Sequence, residues 1–248
     1  MGCQAGSVSS LRDYEVLSFD CYGTLIDWES GIWTALQPML LANNVLVSRP
    51  DVLAEFGRIE AAQEAGTPSL LYSDLLAVVH KDLATTLGLA STDDMDRAFG
   101  ASVPEWPAFA DSAGALTFLS GQYRLVILSN VDRASFAGSN ARLDVTFDAI
   151  YTAEDIGSYK PDPENFDYLL RRLEDDLGVL ADSVLHVAQS LYHDHAPAKA
   201  AGLDTVWIDR QRLSAGGEWG ATTPVENPLE PDHVFFSMAD MARAVEEA

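Results

Sequence analysis

YEVLSFDCYGTL, residues 14–25, is the stretch on which the fold turns. Its first six residues hold Val16, Leu17 and Phe19, the composition of a short buried strand, and the run stops at Asp20 and a turn containing Gly23. Runs of the same kind recur at 124–128 (RLVIL), 149–152, 184–187 (VLHV) and 205–208 (TVWI). Helical periodicity fills the intervals at 112–119, 132–139, 163–177 and 194–201. Strands that are apolar throughout, alternating with crossover helices, make a parallel sheet covered on both faces. The expected fold class is α/β, a doubly wound parallel sheet.

The interval 29–106 has a different texture. Helical patterns follow one another at 32–41, 50–64, 69–87 and 92–99, and strand signals are weak. An all-helical insertion directly after the first strand is the economical reading, returning through Pro104 and Pro107. The expected organisation is a core domain of residues 1–28 and 107–248 with a helical cap of residues 29–106. The stretch 214–232, rich in Gly, Pro and Thr, is expected to wrap the core as irregular structure.

The chain's 248 residues suffice for a core domain carrying an insertion, and an apolar content of 48% suffices to bury its interior. Lys and Arg number 15 against 38 Asp and Glu, a formal charge of −23. That surface lacks the clustered cations phosphate requires, which argues against nucleic acid and anionic membrane as partners. No apolar run approaches the ~20 residues of a spanning helix. The first residues lack the basic and apolar regions of a signal peptide. Met1-Gly2-Cys3 with Ser7 has the outline of an acylation sequence, but a leader without lysine is not expected to anchor. Cys3 falls in a small-residue leader that reads as disordered. Cys21 reads as a buried reduced thiol, and two cysteines make no disulfide scaffold. A cytoplasmic enzyme or binding protein remains, with a homodimer left open.

Ligands of an open parallel sheet bind beyond the carboxyl ends of its strands. After the first strand come Asp20, Cys21, Tyr22, Gly23 and Thr24; after the second, Ser129 and Asn130; after the third, Ser158, Tyr159 and Lys160; after the fourth, Gln189, Ser190 and then His193 and Asp194. A carboxylate, a hydroxyl with an amide, a lysine and a second carboxylate thus meet on one edge. That set suits nucleophilic catalysis by a carboxylate.

These residues resemble the haloacid dehalogenase superfamily: FDCYGTLID its first motif, LSN its second, SYKPDP its third and AQSLYHD its fourth. Tyr22 looks like the type II 2-haloacid dehalogenase branch, and SLYHDH also resembles azetidine-2-carboxylate hydrolases. The resemblance implies a Rossmann-like core with a cap and Asp20 as nucleophile. It makes Lys160 the cation that keeps Asp20 ionised, which an opposite charge at close range favours. Asp194 would help the water step and Thr24 would bond the Asp20 region. Tyr22, Ser129, Asn130, Gln189 and Ser190 would hold substrate, and Arg58 would correspond to a cap arginine reaching the site.

Plainer readings stand beside these. Asp20 and Ser129-Asn130 could be strand-end turn residues, Lys160 a solvated loop lysine, Asp194 a helix cap and Arg58 a solvent-facing helix residue. Trp28, Trp33, Tyr72 and Trp106 read as packing residues, and His193 and His195 alternate in a way that makes no metal pattern. Where the superfamily's phosphatases carry a second Asp and an acidic Gly-Asp pair, this chain has Tyr22 and Ala188-Gln189, so no metal or other cofactor is expected. Phe166 and Leu191 stand where the dehalogenases have tyrosine and asparagine, removing polar groups expected near substrate or water. The expected activity is hydrolysis of a small 2-substituted carboxylic acid through an aspartyl ester, most simply of a carbon–halogen bond. Opening of a ring amine, a magnesium-dependent phosphatase and a non-catalytic binding protein are the alternatives.

Overall fold

The computed structural model describes residues 9–226 and 228–248. Cys3 and the acylation-like start lie outside the described residues. The core is a six-stranded sheet, all neighbours parallel, in the order β3-β2-β1-β4-β5-β6. Its strands are β1 (Val16–Phe19), β2 (Arg124–Ser129), β3 (Ala149–Thr152), β4 (Val184–Ala188), β5 (Asp204–Ile208) and β6 (His233–Phe235). β1 is central, with Phe19 in register with Ile127 on one side and Val187 on the other. The ends of β1, β2 and β4 are therefore level, at the point where strand order reverses. Every residue of β1 and β4 is buried. Each fully buried Val, Leu or Phe contributes roughly 1.5–3 kcal/mol, which is why these runs lie inside.

After β1 the chain leaves the sheet for four helices: α1 (Trp28–Ala42), α2 (Arg49–Gly66), α3 (Tyr72–Thr86) and α4 (Asp93–Gly100). The exit and the return are tied where Ile26 bridges Ala108 and Asp27 N–H donates to the Pro107 carbonyl at 2.8 Å. Asp27 also caps α1, its side chain accepting from Ser30 N–H. α1 approaches Trp106 so closely that a Cβ at Gly31 would lie 2.3 Å from the indole. Core helices α5 (Ser112–Leu119), α6 (Arg133–Leu143), the single turn α7 (Ala153–Ile156) and α8 (Glu164–Leu177) connect the strands.

Three local features depart from the sequence pattern. The helix expected over 194–201 begins earlier as a π-turn, Leu191–His195, before α9 (Ala196–Ala200). Strand β6 is three residues, His233 and Phe235 half-buried and Val234 exposed, too short to give a run. The terminal helix α10 (Met238–Glu247) buries Met238, Met241 and Val245 along one face. The segment before β6 is irregular apart from the turn Leu213–Ala215. It is fastened to the helical insertion: Ala221 N–H donates to Glu29 Oε1 at 2.8 Å, and a Cβ at Gly57 of α2 would lie 2.0 Å from the Ala221 carbonyl oxygen.

Candidate active site

Asp20 follows β1 at the bottom of a small cavity, with a free volume of about 50 Å³, between the sheet edge and the helices of 28–86. Lys160, on the loop after α7, is 1% exposed. Its ammonium donates to Asp20 Oδ1 at 3.0 Å, Asp194 Oδ1 at 2.6 Å and the Leu128 carbonyl at 3.0 Å. All three of its protons are used, so the charge cannot swing away. The Thr24 hydroxyl donates to Asp20 Oδ2 at 2.7 Å and accepts from Gln189 N–H at 2.9 Å. The turn between them requires glycine: Gly23 has φ +92°, and a Cβ there would meet Gln189 Oε1 at 3.0 Å and Trp28 Nε1 at 3.1 Å.

Electrostatics separates the two aspartates. Burial pushes the Asp20 carboxyl up, Lys160 pulls it back and Asp194 pushes it up again, leaving it above the ordinary range. Burial acts on Asp194 too, but Lys160 and His186 overcome it and hold the group well below that range. His186, on β4, lies with Nε2 3.0 Å from Asp194 Oδ1 and Nδ1 2.8 Å from Ser18 Oγ. Burial alone would lower the Lys160 pKa, yet Asp194 and Asp20 raise it. Asp194 Oδ2 has no partner, though the residue lines the cavity.

Asp20, Tyr22, Asn130, Lys160, Gln189, Ser190 and Asp194 all line this cavity, and Thr24 braces it from behind. Several are committed to one another. Asn130 Oδ1 accepts from Lys160 N–H at 2.7 Å, and its Nδ2 donates to the Lys160 carbonyl at 3.0 Å and to Glu64 Oε1 at 3.1 Å. The Gln189 carboxamide donates to Gln211 and Thr222, the Tyr22 hydroxyl pairs with Ser139 at 2.9 Å, and Ser190 Oγ accepts from His193 N–H. Ser129 is buried with its hydroxyl unpartnered, outside the cavity lining.

Arg58 corrects the reading from sequence. It is exposed on α2 and donates to Glu55 at 2.6 and 3.0 Å, one turn back, away from the cavity. Phe166 and Leu191 also stay outside the lining; Phe166 packs edge-on against His186, with ring centroids 5.1 Å apart. Conversely, Trp28 and Tyr72 line the cavity as well as packing.

Sequence reasoning missed Glu60 and Glu64, which α2 projects into the cavity. Both are buried, 5% and 6% exposed, and the Tyr72 hydroxyl donates to Glu60 Oε1 at 2.6 Å. Their signal was available: they continue the stripe of Leu53 and Phe56 at helical spacing, where a glutamate is out of place. His186, polar inside an apolar strand, gave a similar signal. Arg210, after β5, donates to the Thr24 carbonyl at 2.8 Å and to Asp111 at 2.9 Å, holding the turn after Asp20 from the far side.

The donor set does not fit a divalent cation. The Lys160 ammonium already bridges the two carboxylates, and Gln189 is engaged elsewhere. Among the described residues no cluster of three or more His, Cys, Asp or Glu is arranged to hold a metal, and no helix is long and apolar enough to cross a membrane.

The sequence model of the haloacid dehalogenase-like hydrolases matches residues 14–202. (S)-2-haloacid dehalogenase 4A of Burkholderia cepacia is 30% identical over 213 residues, covering 82% of this chain and 85% of that protein. The (S)-2-haloacid dehalogenase of Pseudomonas putida is 23% identical over 240 residues, 94% of this chain and 96% of its own. Among solved structures, L-2-haloacid dehalogenase from Xanthobacter autotrophicus with chloropropionic acid covalently bound superposes with a TM-score of 0.73 at 19% identity, covering 94% of this chain and 98% of that one.

Proposed function

The chain belongs to the haloacid dehalogenase-like hydrolase family, and on that premise we propose that it hydrolyses a small 2-substituted carboxylic acid through an ester on Asp20. The observation that carries this reading is the clamp on Asp20, with Lys160 on one oxygen and Thr24 on the other at the bottom of a cavity with room only for a small molecule. A carboxylate held by both oxygens on a cavity wall is fixed in orientation, as an attacking nucleophile needs.

In the first step an Asp20 oxygen forms a bond to C2 of the substrate, and the leaving group departs with the bonding pair. Water then adds to the Asp20 carboxyl carbon. The ester C–O bond to Asp20 breaks at that carbon, one water proton passing to the departing oxygen and the other to solvent, which frees the 2-hydroxy acid and regenerates the carboxylate. Asp194, whose Oδ2 has no partner among the described residues, would orient this water, and Lys160 would balance the charge that develops on Asp20. Halide as the leaving group is supported by the likeness to (S)-2-haloacid dehalogenases. A ring amine uses the same steps, and the carboxylates of α2 favour it because they would receive the amine's charge. Phosphoryl transfer is disfavoured by the donor set described above.

A single turnover in ¹⁸O-water tests the reading. Label should appear first in the Asp20 carboxyl, found by mass spectrometry of its peptide. Label going directly to product in that turnover would make Asp20 a general base and end the ester route.

A further inference from the structure

Four carboxyl groups line the cavity, those of Asp20, Asp194, Glu60 and Glu64, against the single ammonium of Lys160. All three Lys160 protons are already committed, so no cation is left to meet an incoming anion. A plain 2-substituted acid would enter as a monoanion with no uncommitted cation among the described lining residues to meet it. A molecule carrying its own cation would not need one.

Resting on the proposed reaction at Asp20, we propose that Glu60 and Glu64 form a subsite for the ammonium group of a zwitterionic, amino-acid-like substrate, walled by Trp28, Tyr22 and Tyr72. The two glutamates lie one turn apart on α2 and face the same way. Tyr72 holds Glu60 by Oε1, and no described residue donates to Oε2 although the side chain lines the cavity. Glu64 Oε1 accepts from Asn130, and its Oε2 is met only by His193 Nε2 at 3.5 Å, too long for a good hydrogen bond. An acceptor oxygen on each glutamate thus lacks a close donor.

A second observation comes from the opposite wall, independently of α2. Asp194 is 1% exposed, lines the same cavity and leaves Oδ2 without any partner. Both walls carry open carboxyl oxygens, to which an ammonium brings up to three donors, whereas Trp28 Nε1, an unpartnered donor on the lining, is neutral. The rings of Tyr22 and Tyr72, with centroids 6.3 Å apart, and Trp28 supply the aromatic faces that attract a desolvated cation. The free enzyme accommodates the crowding by keeping protons: burial pushes Glu60 up to about 7, and burial with the Glu60 charge pushes Glu64 well above the ordinary range.

The test is calorimetric titration of the whole protein with matched pairs that cannot turn over: each enantiomer of alanine against propionate, and 2-aminobutyrate against butyrate. The amino acid of each pair should bind about tenfold or more tightly, and Glu60→Gln with Glu64→Gln should erase the preference while leaving or improving binding of the plain acids. If the double variant does not fold, Glu64→Gln alone should shrink the preference. Equal binding of amino acid and plain acid to the unaltered protein overturns the subsite, as does a preference that survives the glutamine variants. Labelling of Asp20 separates this from the reaction itself: a labelled Asp20 with no ammonium preference sinks only the subsite, and the reverse result sinks only the ester.

Discussion

The two walls of the cavity are built on opposite plans. On the sheet side, Asp20, Thr24 and Lys160 are locked by short hydrogen bonds at the level ends of three parallel strands. On the helical side, Glu60 and Glu64 are buried but only partly bonded, on a helix whose Gly57 packs against the Ala221 carbonyl. A rigid wall can hold a nucleophile to within a fraction of an ångström; a looser one can be altered without disturbing it. The proposed reaction draws on the sheet edge, and the proposed choice of substrate on the insertion.

The sharpest break of that contrast is at the nucleophile. Asp20→Asn should fold, with an unchanged circular dichroism spectrum, and lose turnover by about 10⁴-fold or more, because an amide neither attacks nor carries charge. Residual turnover within tenfold of the parent would place the chemistry elsewhere. Lys160→Met should be the costliest change to stability. It leaves Asp20 and Asp194 buried beside each other without their shared cation, a loss of about 3–5 kcal/mol in urea unfolding.

The helical wall should show itself through pH. Glu60 and Glu64 hold protons more tightly folded than unfolded, so their contribution to stability is complete below the ordinary glutamate range and is lost as pH rises, through about 7 for Glu60 and well above the ordinary range for Glu64. Combined Glu60→Gln and Glu64→Gln should remove that decline and leave the variant more stable than the parent at pH 8, by roughly 1–3 kcal/mol. A parent whose melting temperature, measured without ligand, falls no faster than the variant's between pH 5 and 8 would contradict the picture. Asp194 has the opposite sign: held below the ordinary range, it contributes above that range and fails only in strong acid. Two smaller effects complete the series. Exhaustive EDTA should leave turnover unchanged, and added Mg²⁺ should not raise it. Arg58→Ala, at an exposed pair, should leave kcat/KM within error of the parent.

Much of this was legible because strands announce themselves by composition and because a strand's end fixes its next residue in space. From the runs at 14–19, 124–128 and 184–187 one could place Asp20, Asn130 and Gln189 on one edge without knowing a distance. The helical wall was harder to read. Whether a residue of α2 faces the cavity depends on how the whole insertion docks, and Arg58 and Glu60, two positions apart, face opposite ways. Resemblance selected the arginine, whereas helical periodicity, followed through Leu53 and Phe56, selects the glutamates. Strand β6 is too short for composition to reveal, and it forms because Asp209 N–H and the β5 edge offer it partners.

The Ala221 backbone joins the far end of the chain to two helices of the insertion: its N–H holds Glu29 of α1, and its carbonyl sits where any larger residue at 57 of α2 would collide. Displacing those helices from the sheet edge would strip the irregular segment before β6 of both contacts, and a protease that cuts only the released segment would then be a clock for how often the cavity opens. Occupants that hold the helical wall against the sheet should slow that clock in proportion to their occupancy, so the rate of nicking reports, without any chemistry taking place, which small molecules the closed enzyme prefers to keep.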